Sequence, residues 1–211
     1  MDKNKKEALE KLKLEMEADK SLPLLGTANL VFGEGKPDAE VMFIGEGPGF
    51  HEDRLVRPFV GQAGKLLDKL LADIKWPRES VYITNIVKRR PPENRDPLPE
   101  EIEAYKPYLT RQIKIINPKM IVALGRFAMA YFLPNAKISR DHAAPSEVLT
   151  KEGKTILVVP LYHPAAALRS TQVLKELEED FKKLPELLKN SQSVVPKPVF
   201  APKLPPQASL F

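Results

Sequence analysis

Residues 41–53 read VMFIGEGPGFHED, a short apolar run that passes directly into a glycine-rich polar turn. A run this short and this continuous is typical of a strand buried on both faces. Three more runs of the same kind follow, so that the four lie at Val41–Ile44, Val81–Thr84, Met120–Leu124 and Ile156–Val159. Because stretches with a helical period alternate with these runs, we expect a parallel sheet covered by helices on both faces.

The helical stretches lie at residues 5–17, 62–74, 99–116, 126–132 and 171–188. Pro185 is expected to bend or end the last of them. Residues 1–190 are therefore predicted to form one α/β domain that includes an N-terminal helix. Residues 191–211 contain five prolines, no acid and no helical period, so we expect a flexible, extended tail there.

Composition excludes several kinds of chemistry. The 211 residues include no cysteine, which removes disulfides, thiolate catalysis and cysteine-built metal sites. The histidines His51, His142 and His163 have no ligand spacing, so we expect no metal site. The first 20 residues are too charged for a signal peptide, and no apolar run has membrane-spanning length, so we expect a soluble, cytoplasmic protein. The net charge of +5 permits an anionic partner without requiring one.

Polar residues follow the ends of the predicted strands. Glu46 lies in the turn after the first strand, Asn85 follows the second, and His163 comes shortly after the fourth. Since ligands of parallel sheets bind outside the carboxyl ends of the strands, these side chains are expected to share one rim. The second strand also leads into the basic loop of residues 88–92, which is suited to phosphates or is simply solvated.

Each of these residues has a plainer alternative. Asn85 has the donors and acceptor needed to read the edge of a base, or it caps a turn. His163 is either a donor to a developing oxyanion or a partner of a backbone carbonyl. Phe59 is either a core residue or a stacking platform over the crevice. The GEGPG turn fits neither a P-loop nor a dinucleotide fingerprint.

Five motifs together resemble a known family. They are GEGPGFHED, RPFVGQAGKLLD, VYITNIVKRRPPENRDP, PKMIVALGR and YHPAAALR, in this order along the chain. This pattern is similar to that of the family 4 uracil-DNA glycosylases of bacteria and archaea. The resemblance implies a three-layer α/β/α fold around a four-stranded parallel sheet. It also implies a monomeric, monofunctional enzyme that flips deoxyuridine out of single- or double-stranded DNA and hydrolyses its N-glycosidic bond, which starts base excision repair.

The resemblance also implies roles for individual residues. Glu46 and the backbone of Gly47 would lie at the attacking water, Phe59 would stack on uracil, Asn85 would read its edge, and His163 would support O2. The residues expected to bind DNA are Lys88, Arg89, Arg90, Arg95, Leu168 and Arg169, with Leu168 as the wedge that fills the hole left by the flipped nucleotide. On this reading Glu46→Gln lowers the chemical rate more than DNA affinity.

Two departures from the family pattern support an alternative function, although the presence of Glu46, Asn85 and His163 together favours the enzyme. Family 4 enzymes usually hold a [4Fe–4S] cluster, but the ligand positions read Asp19, Leu22, Arg89 and Lys106, so we expect no cluster. We expect instead an ion pair between Asp19, or a neighbouring acid, and Lys106 or Arg89, with Leu22 filling volume.

The second departure is Val56, which replaces a favoured glycine and is expected to shift the loop that carries Phe59. Both departures leave a catalytically weak uracil-DNA binding protein as the alternative to an enzyme.

The chain ends in Gln207-Ala208-Ser209-Leu210-Phe211. This ending resembles the short peptide by which bacterial DNA-processing enzymes dock on the sliding clamp, with Gln207, Leu210 and Phe211 as its defining residues. A proline-rich tether with an apolar anchor suits such docking. The alternative is a terminus without a partner.

Overall fold

The structure is a computed structural model that describes residues 3–150 and 153–191. Its helices are α1 (Lys3–Ala18), α2 (Phe50–Leu55), α3 (Gln62–Asp73), α4 (Pro99–Ile116), α5 (Gly125–Phe132), α6 (Ile138–Asp141), α7 (Pro164–Ala167) and α8 (Thr171–Ser191). Its strands are β1 (Glu34–Gly35), β2 (Val41–Gly45), β3 (Tyr82–Asn85), β4 (Met120–Leu124), β5 (Ser146–Leu149) and β6 (Thr155–Leu161). None of the described helices has the length and apolar character needed to cross a membrane.

The strands form one sheet in the order β1-β3-β2-β4-β6-β5. The four central strands are parallel, which confirms the predicted core of the sheet. The prediction missed β1 and β5, which pair antiparallel at the two edges. The two residues of β1 are too few to show a pattern. In β5 the half-buried residues alternate with exposed ones, as an edge strand requires, so it has no continuous apolar run.

Alternate residues of the central strands face two separate cores. On one side Met42 and Ile44 of β2 pack in a cluster that contains apolar residues of α1, α4 and α5. On the other side Val41 and Phe43 pack in a cluster that contains leucines of α3 and Leu177, Phe181 and Leu184 of α8. Helices therefore cover both faces, and the three-layer α/β/α prediction is confirmed.

The register of the sheet brings the strand ends together. Gly45, the last residue of β2, lies opposite Asn85, the last residue of β3. At the other side of the centre Leu124 of β4 lies opposite Leu161 of β6. The loops that leave these four strands consequently begin at one edge of the sheet.

We expected Pro185 to bend or end the last helix. It does not end the helix, because α8 continues to Ser191. Proline removes one backbone hydrogen bond, but Leu177, Phe181 and Leu184 are buried against the sheet and hold the helix in place. Beyond Ser191 the predicted tail, including Gln207, Leu210 and Phe211, lies outside the described residues.

Candidate active site

A pocket of about 240 Å³ lies at the carboxyl ends of the strands. Its lining includes the five residues to which we assigned catalysis and substrate binding, namely Glu46, Gly47, Phe59, Asn85 and His163. Pockets for drug-sized ligands hold roughly 300–1,000 Å³, so this one suits a single small ring. The convergence expected from the strand ends is therefore present in the structure.

Phe59 lies in the wall of the pocket and is 5% exposed. Its ring lies parallel to the imidazole of His163, with 5.5 Å between centroids and 29° between planes. Two glycines make this placement possible. A Cβ on Gly64 would lie 1.9 Å from the carbonyl oxygen of Phe59, and one on Gly45 would lie 2.5 Å from its Cζ. Larger side chains at either position would push the ring out of place.

Asn85 is 1% exposed, and its Oδ1 accepts no hydrogen bond from any described residue. A buried acceptor without a partner costs roughly 1–3 kcal/mol. A turn-capping role, the plainer reading, would satisfy this oxygen. Gly45 leaves the space around it open, because a Cβ there would lie 2.6 Å from Oδ1. The arrangement suits an acceptor that waits for a donor on a ligand.

His163 precedes α7, and its Nδ1 accepts a hydrogen bond of 3.1 Å from the backbone N–H of Ala165. The imidazole is thus bonded to a backbone N–H, not to a carbonyl as the plainer reading expected. Burial lowers the pKa of His163 to about 4, against an opposing effect of the Glu52 carboxylate. At neutral pH the ring is uncharged, and because Nδ1 is an acceptor its proton lies on Nε2.

Glu46 is half-buried where the backbone leaves β2. The backbone N–H of Val87 donates to the Glu46 carbonyl oxygen over 3.1 Å, which fixes the turn against the loop after β3. Burial raises the pKa of the Glu46 carboxyl, as does the negative charge of Asp96, while Arg126 acts in the opposite direction. The carboxyl is therefore a weaker acid than an exposed glutamate.

Glu52 also lines the pocket, and the sequence analysis missed it. Its Oε1 accepts hydrogen bonds from the backbone N–H groups of Val60 (2.9 Å) and Gly61 (2.8 Å), and its Oε2 accepts one from Gly49 (3.2 Å). One carboxylate thus joins the turn after Glu46 to the loop that carries Phe59. The sequence did contain a signal for Glu52, because a glutamate three residues after the residue that caps a helix, here Gly49, is typical of a capping box.

The predicted DNA contacts of Lys88 and Arg89 are wrong. Lys88 is fully buried, and its Nζ donates to the hydroxyl of Thr84. Burial lowers its pKa well below the usual value for lysine. Arg89 is 3% exposed, and its Nη1 lies 3.4 Å from the hydroxyl of Tyr105. The chain stays inside the fold after β3, where Val31 donates to the Lys88 carbonyl, so neither side chain reaches a phosphate.

The other predicted DNA contacts lie at the surface. Arg90 donates from Nε to Oδ1 of Asn94, which itself lines the pocket. Arg95 lines the pocket as well and pairs with Glu101 over 2.6 Å. Leu168, at the end of α7, is 52% exposed, and Arg169 beside it is exposed.

The residues at the four ligand positions of the family do not fit an iron–sulfur cluster. Clusters need thiolate ligands, and the chain has no cysteine. Leu22 is buried, Arg89 is buried beside Tyr105, and Asp19 and Lys106 are held by other residues. Among the described residues there is also no group of histidines and acids arranged to hold a metal ion.

The region around these four positions is held together by hydrogen bonds. We call it the α4 corner and define it by six residues, namely Asp19, Ser21, Pro23, Arg89, Tyr105 and Tyr108. Asp19 accepts hydrogen bonds from Ser21 and from the Tyr108 hydroxyl (2.6 Å). These bonds lower the pKa of the Asp19 carboxyl, with Ser21 as the largest cause. The Tyr105 hydroxyl donates to the Pro23 carbonyl over 2.7 Å. The chain before β1 is thereby attached to α4.

The ion pair that we expected at the α4 corner is wrong. Lys106 pairs with Glu103, one turn earlier on its own helix, at 2.8 Å. Arg89 has one long contact, with Tyr105, and its Nε has no partner among the described residues. Its positive charge helps to lower the pKa of Asp19, but the two groups form no salt bridge. A partner within one helical turn is closer to Lys106 than any acid on another element.

Val56 ends α2 in the left-handed conformation with φ +55°. Glycine adopts this conformation easily, whereas a β-branched residue does so at a cost. Phe59 nevertheless lies in the pocket wall. The substitution therefore leaves strain at the end of the helix and does not displace the ring from the pocket.

Comparison with known proteins gives concordant matches. A family model described as the uracil DNA glycosylase superfamily matches residues 32–189. The chain is 48% identical over 189 residues to the type-4 uracil-DNA glycosylase of Sulfurisphaera tokodaii, covering 86% of this chain and 85% of that protein. It is 50% identical to that of Saccharolobus solfataricus over 76% of each chain. It is 44% identical to that of Thermotoga maritima over 78% of this chain and 86% of that one.

Proposed function

This chain belongs to the type-4 uracil-DNA glycosylases of the uracil DNA glycosylase superfamily, and from that membership we propose that it removes uracil from DNA. The reaction is hydrolysis of the bond between C1′ of the sugar and N1 of the base, which leaves an abasic site. The observation that supports it most strongly is the unpartnered Oδ1 of Asn85 in a pocket of single-ring size.

Asn85 and Phe59 recognise the base. The Asn85 Oδ1 accepts a hydrogen bond from N3–H of uracil, and its amide N–H groups donate to O4, a pattern that cytosine cannot match. The ring of Phe59 supplies apolar contact to the base. Together these contacts offset the few kcal/mol that unstacking a nucleotide from DNA costs.

His163 stabilises the leaving group. As the bond breaks, its electron pair goes to uracil, and negative charge builds on O2. The Nε2–H of neutral His163 donates to this oxygen, and its position is fixed in advance by the Ala165 hydrogen bond. Because the donor is uncharged, its hydrogen bond to the neutral O2 of bound uridine is weak. The same hydrogen bond becomes stronger as negative charge develops on O2.

Glu46 orients the water that attacks C1′ and balances positive charge on the sugar. The water adds to C1′ and releases a proton, while the departing uracil anion takes up a proton from solvent. Glu52 holds the two loops at the pocket in register through its three backbone hydrogen bonds. Leu168, Arg90 and Arg169 contact the DNA outside the pocket, and Arg95 contacts it at the pocket lining.

We propose that this activity needs no iron–sulfur cluster. The α4 corner supplies the attachment that a cluster would otherwise provide, through the bonds of Tyr105 to Pro23 and Tyr108 to Asp19. None of these residues lines the pocket. The chemistry of base excision therefore depends on the loops at the strand ends and not on this corner.

We also propose that Gln207, Leu210 and Phe211 dock the enzyme on the sliding clamp. The sequence alone supports this, since these residues lie outside the described part of the chain. A peptide of residues 191–211 should be retained on immobilised clamp and should lose retention after Leu210→Ala and Phe211→Ala. Absence of binding by the intact protein contradicts the proposal.

Single-turnover cleavage of a fluorescent oligonucleotide with one uracil tests the proposed activity. Alkali breaks the abasic sites, and oligonucleotides with thymine or hypoxanthine serve as controls. We expect scission at uracil, a loss of at least about 100-fold in Asn85→Ala, and no change in Asn135→Ala, an exposed asparagine away from the pocket. Uracil-DNA binding without scission would instead identify the catalytically weak binding protein.

A further inference from the structure

An exposed aromatic side chain lies beside the mouth of the pocket. Phe50 begins α2 directly after Gly49, which lines the pocket, and its side chain is 52% exposed. Among the described residues it is the only phenylalanine or tryptophan with so much of its surface in water. Single exposed apolar side chains are common on protein surfaces, so it is the position of this ring beside the pocket, together with its neighbours, that points to a contact with a ligand.

Arg90 lies against this ring. The centre of its guanidinium is 5.3 Å from the ring centroid, within the range of a cation–π contact. Arg90 directly precedes Pro91, another residue of the pocket lining. The ring and the charge thus come from two different loops, the turn after β2 and the loop after β3, and meet next to the pocket.

Neighbouring residues hold both side chains. The Nε of Arg90 donates to Oδ1 of Asn94 over 2.7 Å, and Asn94 lines the pocket. The imidazole of His51 meets the Phe50 ring edge to face, with 5.5 Å between centroids. A stacking surface that is fixed in advance loses less conformational entropy when it binds.

We propose that Phe50 and Arg90 bind the nucleotide next to the flipped uridine in single-stranded DNA, an inference that rests on the proposed function. Phe50 stacks on the flanking base, and Arg90 contributes positive charge to the adjoining phosphate. Stacking on aromatic side chains tolerates any base, and the guanidinium complements the polyanionic strand. In a duplex the flanking base stays stacked on its own neighbours and does not need this surface.

The proposal predicts a substrate-dependent effect of Phe50→Ala. For single-stranded uracil DNA we expect roughly tenfold weaker binding, seen as a tenfold rise in the enzyme concentration that gives half-maximal single-turnover rate. The rate at saturation stays the same because Phe50 does not touch the reacting atoms. For duplex DNA the change is less than twofold. Phe50→Tyr retains the ring and restores binding, and Leu55→Ala is a control at an exposed apolar residue of the same helix.

Substrates without the flanking bases identify what Phe50 contacts. Oligonucleotides with a tetrahydrofuran abasic analogue on the 5′ or the 3′ side of uracil should bind the wild type about tenfold more weakly at one of the two positions. At that position Phe50→Ala should have no further effect. If Phe50→Ala weakens binding equally with and without both flanking bases, or lowers only the saturated rate, the proposal is wrong.

Fluorescence anisotropy on the same oligonucleotides separates this proposal from the proposed activity. It measures affinity whether or not uracil is released. Wild-type protein that binds but never cleaves would overturn the activity, while the Phe50 comparison would still be decided. A binding loss in Leu55→Ala as large as that in Phe50→Ala would also overturn the stacking proposal.

Discussion

The pocket and the α4 corner differ in how far their polar groups are paired by hydrogen bonds within the chain. In the pocket, Asn85 keeps an acceptor without a partner, and His163 keeps its Nε2 proton directed away from its own backbone bond. In the α4 corner, Asp19 and the Tyr105 hydroxyl are satisfied by neighbours within the chain, although the Nε of Arg89 lacks a partner among the described residues. Groups left unpaired suit a ligand, whereas satisfied groups suit stability, so the two regions should respond to mutation in opposite ways.

The largest expected effect concerns the pH dependence of the pocket. The pKa of folded His163 is about 4, below the ordinary 6.5, so the folded state takes up its proton less readily than the unfolded state. This histidine's contribution to stability is therefore complete above about pH 6.5 and is lost as the pH falls towards 4, by roughly 3 kcal/mol in total.

Urea unfolding between pH 7 and pH 4 checks this expectation. The free energy of unfolding should fall more steeply in the wild type than in His163→Gln, because only the wild type has this histidine to protonate on unfolding. Subtracting one curve from the other cancels the effect of the carboxyl groups, which titrate in both proteins. His51→Gln, at an exposed position, is the matched control. Parallel curves for the wild type and His163→Gln would show that the histidine is not held neutral.

Next in size is the effect of Glu52 on catalysis. Glu52→Ala removes the acceptor of three backbone N–H groups, which loosens the loops that carry Glu46 and Phe59. We expect the single-turnover rate at saturation to fall about 100-fold, as for a displacement of about 1 Å at an active site.

Glu52→Gln should recover part of that rate because its amide oxygen can still accept from Val60 and Gly61. Exposed Glu79→Ala serves as the control. If Glu52→Ala changes only DNA affinity, the residue does not position the catalytic loops.

At the α4 corner the expected effect is on stability alone. Tyr105→Phe removes the hydrogen bond to Pro23 and leaves buried Arg89 without its contact, so the free energy of unfolding should fall by about 2 kcal/mol. The excision rate of the folded protein should stay within twofold. Tyr131→Phe is the control, because the Tyr131 hydroxyl has only surface contacts, with the Lys106 carbonyl over 3.5 Å and with the side chain of Thr110. A parallel loss of rate in Tyr105→Phe would mean that the two regions are coupled.

The smallest expected effect concerns the backbone at the end of α2, outside both regions. Val56→Gly should raise the free energy of unfolding by about 1 kcal/mol, because glycine adopts the left-handed conformation without strain. Leu55→Gly, one residue earlier within α2, should lower it by a similar amount. Thermal or urea unfolding distinguishes these signs, and a loss in Val56→Gly would contradict the assignment of strain.

The centre of the sheet and the core of the pocket were predictable from sequence. Continuous apolar runs identify buried strands, and parallel strands bring their carboxyl ends to one edge, so Glu46, Asn85 and His163 had to lie near each other. Phe59 is less local, since its position depends on the left-handed backbone at Phe59 itself and on close packing against Gly64. The residues alone left Phe59 as either a core residue or a stacking platform, and the family motifs favoured the second.

Charge was a poor guide to position. Lys88 and Arg89 belong to a basic run, which usually marks a surface, but they continue from β3 into the interior. Their burial depends partly on Thr84, four residues before Lys88, and partly on Tyr105 and the segment around Val31, which come from other parts of the chain. Long-range packing of this kind leaves no periodic pattern in the sequence.

The most direct test combines an iron assay with uracil excision on one preparation of the protein. Our account predicts full uracil-dependent scission by protein that contains far less than one iron atom per chain and shows no visible absorbance band. Scission that follows the iron content across purification fractions, or that is absent from iron-free folded protein, would contradict the claim that this pocket acts without a cluster.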